Sequence, residues 1–216
     1  DLPGSGFSDW GSREVIELEF MGDVLADVMA KSGVSSACVV GHSMGGYVAL
    51  AFAKKYPQLV SHLVLLHSSA YGDSPEKVVN REREIELVAA GKKEMLARVN
   101  PGRGFSSANV KKFEEVIEGL YDQVMMTEDE AIIATLRGMM NRGDSSEFFA
   151  NFSAPRLMIF GDSDNYIPLE RAQQMISDFS GSESVVIEGV GHMSFIEDES
   201  RALLELTSFI ERNKID

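Results

Sequence analysis

The sequence is short of basic charge, of cysteine and of long apolar runs. Its 216 residues carry 34 Asp and Glu against 20 Lys and Arg, a formal charge of −14. A surface of that sign repels phosphate, which excludes nucleic-acid binding and attraction to an anionic membrane. The single cysteine, Cys38, has no partner for an internal disulfide. It sits in an apolar run and reads as a small buried hydrophobe, in keeping with a cytoplasmic setting. No stretch approaches the roughly 18 apolar residues of a membrane span. No internal repeat or low-complexity segment interrupts the chain. Four scattered histidines, with no H-E-x-x-H and no Cys/His cluster, give no metal site, and no cofactor is expected. What is present is a globular composition, 44% apolar. A chain this long hides roughly 70% of its unfolded surface and needs no disulfide to hold a core.

The periodicity divides the chain. Apolar residues at helical spacing run from 13 to 31 (Val15, Leu18, Met21, Leu25, Val28, Met29), with Gly33 as a stop. A short buried strand at 37–40 leads through a glycine-rich turn into a helix at 47–56, stopped by Pro57. A second buried strand follows at 63–66. Strand, helix and strand within about 30 residues make a βαβ unit and imply a parallel sheet. From about 71 to 153 the pattern is helical throughout. Helices are expected at 76–90, 92–99 and 107–119. Another begins at Thr127, where Thr127-Glu128-Asp129-Glu130 has capping-box spacing. Alternation then resumes with strands at 157–160 and 184–187 and helices at 169–179 and 199–212. The expected organisation is one α/β domain over 1–216, with a core of 1–70 and 154–216 and a helical cap of 71–153. An insertion at a strand's carboxyl end lies where open α/β sheets bind ligands.

Gly41-His42-Ser43-Met44-Gly45 matches G-x-S-x-G between an expected strand and an expected helix. A sharp turn there strains the serine backbone, and glycines two residues either side let it close. Ser43 is then exposed at the sheet's rim. The helix behind it turns free N–H groups toward the same spot, with Met44 N–H placed to receive an oxyanion. A serine hydroxyl needs a base, and histidine is the usual one. His42 should point away across the turn, and His62 should face solvent. His67 ends a strand and should line the site as a wall. His192, in Gly189-Val190-Gly191-His192-Met193 after the last strand, opens on the same face as Ser43. A carboxylate must orient that base. Asp162 and Asp164 both follow the strand at 157–160, and spacing alone does not separate them; either also suits a turn. The order Ser, Asp, His is that of α/β-hydrolases.

Four motifs resemble the α/β-hydrolase-fold serine hydrolases of the capped, esterase-like kind. Asp1-Leu2-Pro3-Gly4-Ser5-Gly6-Phe7-Ser8 is similar to the family's D-x-P-G-x-G-x-S loop. Gly41 to Gly45 is similar to its nucleophile turn. Gly161-Asp162-Ser163-Asp164, with Pro168, resembles its G-x-x-D-x-x-x-P acid loop, and Gly191-His192 its histidine loop. The resemblance implies Asp164 as the acid, a mostly parallel sheet flanked by helices, and a cap over 71–153. It implies hydrolysis of a small or medium carboxylic ester, thioester or lactone by Ser43, His192 and Asp164. Met44 N–H would bind the oxyanion. Met125 and Met139 in the insertion, with His67, would line the acyl pocket. A cofactor-free perhydrolase and a non-catalytic ligand-binding protein use the same scaffold. In the family, strands and a His-Gly oxyanion loop precede the segment that resembles Asp1 to Ser8, and Ser5 stands where histidine is frequent. The native product is therefore expected to exceed 23.7 kDa, or to receive those strands from another chain. Association through the exposed edge near Cys38 is the other expectation.

Overall fold

Four short β-branched and leucine-rich runs form the strands β1 (Ala37–His42), β2 (Val60–Leu66), β3 (Arg156–Gly161) and β4 (Glu183–Ile187). They pair in the order β1-β2-β3-β4, all parallel. The computed structural model describes residues 1–214. Among these, β1 has one neighbour only, and its Val40 is 41% exposed. The helix α2 (Met44–Lys55) crosses from β1 to β2 and is buried along most of its length.

Helices cover both faces of the sheet. On one, α1 (Leu18–Lys31) lies against α2. Phe52, Leu63, Leu65, Met158 and Phe160 form the main core there. On the other face, the last helix, α10 (Glu199–Arg212), buries Phe209 against Val64, Leu157 and Ile159. Cys38 is half-buried at the margin of this second cluster. His62, expected at the surface, is only 5% exposed. Its Nε2–H donates to the Asn213 carbonyl (2.8 Å), because the end of α10 closes over that side of the sheet.

Residues between β2 and β3 form α3 (Pro75–Ala89), α4 (Lys93–Arg103), α5 (Glu114–Met126), α6 (Asp129–Asn141) and the short α7 (Ser146–Asn151), with no strand. After β3 come α8 (Leu169–Asp178), β4 and the single-turn α9 (Ser194–Glu197). Three departures from expectation have local causes. Residues 13–17 are not helical, because Ile16 is drawn into the core and its N–H donates to the Ala134 carbonyl of α6 (3.0 Å). Residues 107–113 form turns, since Asn109 is held by the Gly189 carbonyl and by Glu197. The capping box at Thr127 does not form. Its hydroxyl donates back to Gln123 in α5 (2.8 Å), and Glu128 takes the N-cap position.

The two ends of the helical insertion are tied together. Asp73 pairs with Arg81 (2.7 Å) and with Arg142 (2.8 Å), and Arg142 lies over the Tyr47 ring at 3.7 Å. Gly72 N–H donates to Asp144, and Ser145 N–H to the Ala70 carbonyl. The insertion thus leaves and rejoins the core at one point beside α2.

Candidate active site

The candidate catalytic groups, with His67, come from the carboxyl ends of the four strands, whereas Met125 and Met139 lie on helices of the insertion. At the end of β1 the chain turns sharply, and Ser43 takes φ 52° and ψ −118°. This is a strained conformation for a residue with a side chain. Three bonds hold it: Ser43 N–H donates to the Leu66 carbonyl (3.0 Å), while Gly46 N–H (3.0 Å) and the Ser68 hydroxyl (2.7 Å) donate to the Ser43 carbonyl. A Cβ at Gly41 would lie 2.4 Å from the Gly45 carbonyl oxygen, so glycine is required there. Gly45 itself faces open space. The second steric requirement falls on Gly46, which packs against Ser68. Met44 opens α2, so its N–H is among the donors a helix leaves without an internal acceptor.

Asp162 and Asp164 part company in three dimensions. Asp162 accepts Gly189 N–H (2.8 Å) and the Ser163 hydroxyl (2.9 Å), which makes it a turn-former between the loops after β3 and β4. Asp164 is buried. Its Oδ1 accepts the N–H groups of Tyr166 (2.7 Å) and Ile167 (2.9 Å). Its Oδ2 accepts Nδ1–H of His192 (2.7 Å) and Nδ1–H of His67 (3.1 Å). Burial is the largest influence on this carboxyl and pushes it up. The bonds from His192 and His67, with the charge of His192 and the N–H of Ile167, act against burial, and the carboxyl is held well below the usual range.

His192 is buried on its loop. Gly191 N–H donates to Glu197 Oε1 (2.7 Å), and His192 N–H to the Gly104 carbonyl (2.8 Å). Glu197 Oε2 also accepts Ser106 N–H (2.9 Å) and the Asn109 amide (2.8 Å). One buried carboxylate therefore fastens the histidine loop to the insertion. Sequence reasoning missed Glu197; its one signal is a charged residue in the apolar context of Phe195 and Ile196. A Cβ at Gly191 would meet Ser106 N at 2.5 Å, and one at Gly161 would meet the Gly191 oxygen at 2.3 Å. These close approaches bring the acid loop, the histidine loop and the insertion together.

His42 does not point away. Its Nε2–H donates to the His192 carbonyl (2.8 Å), and the two rings lie 5.0 Å apart. Burial, then the neighbouring His192, pull His42 down to about 4, so it is neutral at ordinary pH. His67 is placed beneath the site rather than along its wall. Its side chain is 0% exposed and both ring nitrogens are engaged. Met139 on α6 packs on the same apolar cluster as Met44, while Met125 on α5 is half-buried. Tyr166 lies with its ring 4.9 Å from that of His192. Its hydroxyl donates to the Asn100 carbonyl, and burial pushes it up to about 12.

His67, Asp164 and His192 bring their polar atoms within 4.8 Å of one another, a spacing that can suit a cation. Both imidazoles, however, turn Nδ1–H toward the carboxylate, so the cluster is a hydrogen-bonded one. With Nδ1 protonated, His192 keeps a lone pair on Nε2, the form that can accept a proton. The loop carrying it rests on His42, the residue before Ser43. Among the described residues no hydrogen bond joins Ser43 Oγ to His192; such bonds commonly tighten only with substrate present.

A parallel sheet with a strained serine turn at one strand end, and an acid and a histidine at the ends of two others, defines a class of α/β hydrolases. The chain belongs to the alpha/beta hydrolase family, which it matches over residues 1–206. It is similar to an esterase from Thermogutta terrifontis solved with malate bound. That likeness has 30% identity and a TM-score of 0.91, over 100% of this chain and 79% of the other. It is 29% identical to a 2-hydroxy-6-oxononadienedioate/2-hydroxy-6-oxononatrienedioate hydrolase of Burkholderia vietnamiensis, over 98% of this chain and 75% of the relative. A pimeloyl-[acyl-carrier protein] methyl ester esterase of Yersinia pseudotuberculosis is 25% identical over 99% of this chain and 82% of its own length. No helix among the described residues is long and apolar enough to cross a membrane.

Proposed function

We propose that the protein is a serine hydrolase that cleaves a small or medium carboxylic ester through an acyl-enzyme. The observation that carries this reading is the buried Asp164–His192 pair at 2.7 Å, on a loop resting against the residue next to Ser43. Asp164 stays ionised and fixes the Nδ1–H tautomer of His192. Nε2 then takes the Ser43 hydroxyl proton as Oγ bonds to the ester carbonyl carbon. The carbonyl oxygen becomes an oxyanion at Met44 N–H, where the helix end favours negative charge. His192 returns the proton to the leaving alcohol as the carbon–oxygen bond breaks. Water, activated by the same imidazole, releases the acid and restores Ser43.

The esterase likeness over the full chain supports an ester substrate. Met125 and Met139 supply pliant apolar surface for an acyl group. A second reading, hydrolysis of an oxo-dienedioate, is favoured by the Burkholderia relative. A lone cysteine with no disulfide partner supports the reading of a cytoplasmic setting. The test is covalent labelling by a fluorophosphonate, together with turnover of a p-nitrophenyl ester series. Ser43→Ala should abolish both. Labelling that survives in that variant removes Ser43 from the role. Saturable binding without turnover by the wild type would point to a receptor.

A further inference from the structure

The mechanism leaves unused a buried imidazole that touches the same carboxylate as His192. His67 follows β2, where its N–H donates to the Ile159 carbonyl (2.8 Å) and its backbone takes φ 47°. Its side chain has no contact with solvent, yet it reaches the oxygen of Asp164 that His192 uses. The far nitrogen, Nε2, accepts the hydroxyl of Ser194 at 2.7 Å, and Ser194 is itself buried. The carboxylate fixes the tautomer: Asp164 Oδ2 can only accept, so the proton of neutral His67 is on Nδ1 and Nε2 is left to accept the Ser194 hydroxyl. Burial pushes His67 below its ordinary range, with Asp164 opposing, so the ring is a neutral donor.

We propose that His67 is a positioning residue that shares Asp164 with His192 and keeps His192 in its proton-accepting form down to lower pH. This rests on the reading of His192 as the base. A carboxylate oxygen that already accepts one N–H gives less of its charge to a second. When His192 takes a proton, Asp164 stabilises the cation less than an unshared carboxylate would. The other groups facing His192 are fixed in charge or remote. His42 approaches from β1 and is neutral, while Tyr166 approaches from the loop after β3. Arg103 of α4 lies over the Tyr166 ring at 4.9 Å. Glu197 of α9 binds the backbone of the histidine loop. Of these groups, His67 alone shares the Asp164 oxygen bonded to His192. Ser194 and His67 thus form a second arm on the acid, at the same oxygen as the His192 arm.

The test compares the wild type with His67→Leu and His67→Asn. Leucine removes the donor at similar volume. Asparagine suits a positive φ and puts an amide N–H near the place of Nδ1. Two readouts are taken: the acid limb of kcat/KM for a p-nitrophenyl ester, and the titration of the His192 ring protons by NMR. His67→Leu should move both up by about half to one pH unit, a three- to tenfold loss of activity below the limb. His67→Asn should restore both to within about 0.2 unit of the wild type by the same hydrogen-bond argument. An unchanged or lowered His192 titration in His67→Leu, or an Asn variant that behaves like Leu, overturns the proposal. His67→Met, more pliant in a core, replaces Leu if that variant does not fold. In the wild type, nitrogen shifts should show His67 as the Nδ1–H tautomer throughout the neutral range; the Nε2–H tautomer would also overturn it. If the wild type neither turns over esters nor labels, the hydrolase reading fails, while the NMR titration still decides the role of His67.

Discussion

Replacing Asp164 with asparagine tests the acid most directly, and the structure sets the outcome. The asparagine oxygen should take the place of Oδ1, because Tyr166 and Ile167 N–H both need an acceptor there. The amide NH2 then faces His192 and His67. Each imidazole must present a lone pair on Nδ1 and move its proton to Nε2. His192 Nε2–H can no longer accept the Ser43 proton. A wrong tautomer in a Ser-His-Asp site costs about 1,000- to 10,000-fold in kcat, or about 4 to 5.5 kcal/mol. The assay is ester turnover and the fluorophosphonate labelling rate, on protein shown by circular dichroism to be folded. Less than a tenfold loss in folded Asp164→Asn would refute the assignment of the acid. The same variant has a stability signature. Asp164 is held below its unfolded value, which lies near 3.9 for an ordinary aspartate. Its contribution is complete above that pH and is lost as pH falls below it. The part of the unfolding free energy that wild type owes to the ionised carboxylate, and Asp164→Asn lacks, should shrink as pH falls below about 4.

The serine turn and the neck of the insertion give two further tests. Gly41→Ala drives a Cβ into the backbone of Gly45 and Gly46, whereas Gly45→Ala meets nothing within 4 Å. The first should slow labelling at least about tenfold through misplacement of Ser43, and the second should leave labelling near wild type. The reverse order would contradict the steric account. Asp73, 2% exposed at its side chain, neutralises Arg81 and Arg142. Asp73→Ala leaves those cations unpaired and should lower unfolding free energy by about 3 to 5 kcal/mol in urea titration. A change under about 1 kcal/mol would show that Arg142 is held instead by the Tyr47 ring and by its bonds to the Met139 and Tyr71 carbonyls.

Local signals were enough for much of the molecule. The four strands are apolar runs bounded by turn residues, and all four lie where hydrophobic patterning puts them. The turn around Ser43 and the loops with Asp164 and His192 are legible for the same reason: each depends on a few neighbouring residues at a strand end. The misreadings are non-local. His62 looks like a surface residue until α10 closes over it. Residues 13–17 look helical until Ile16 finds α6. Thr127 has the letters of a cap, but the preceding helix offers its hydroxyl a nearer acceptor.

Sequence by itself determined the sheet, its parallel sense and the order of the chemical groups along the chain, because those follow from residue periodicity and turn chemistry. Spacing left Asp162 and Asp164 open and the family resemblance implied Asp164, which the tertiary structure bonds to His192; only the tertiary structure turned His42 inward and put His67 on the same carboxylate. Partners separated by up to 150 residues make those bonds. Each choice was decided by which donors and acceptors burial left without water.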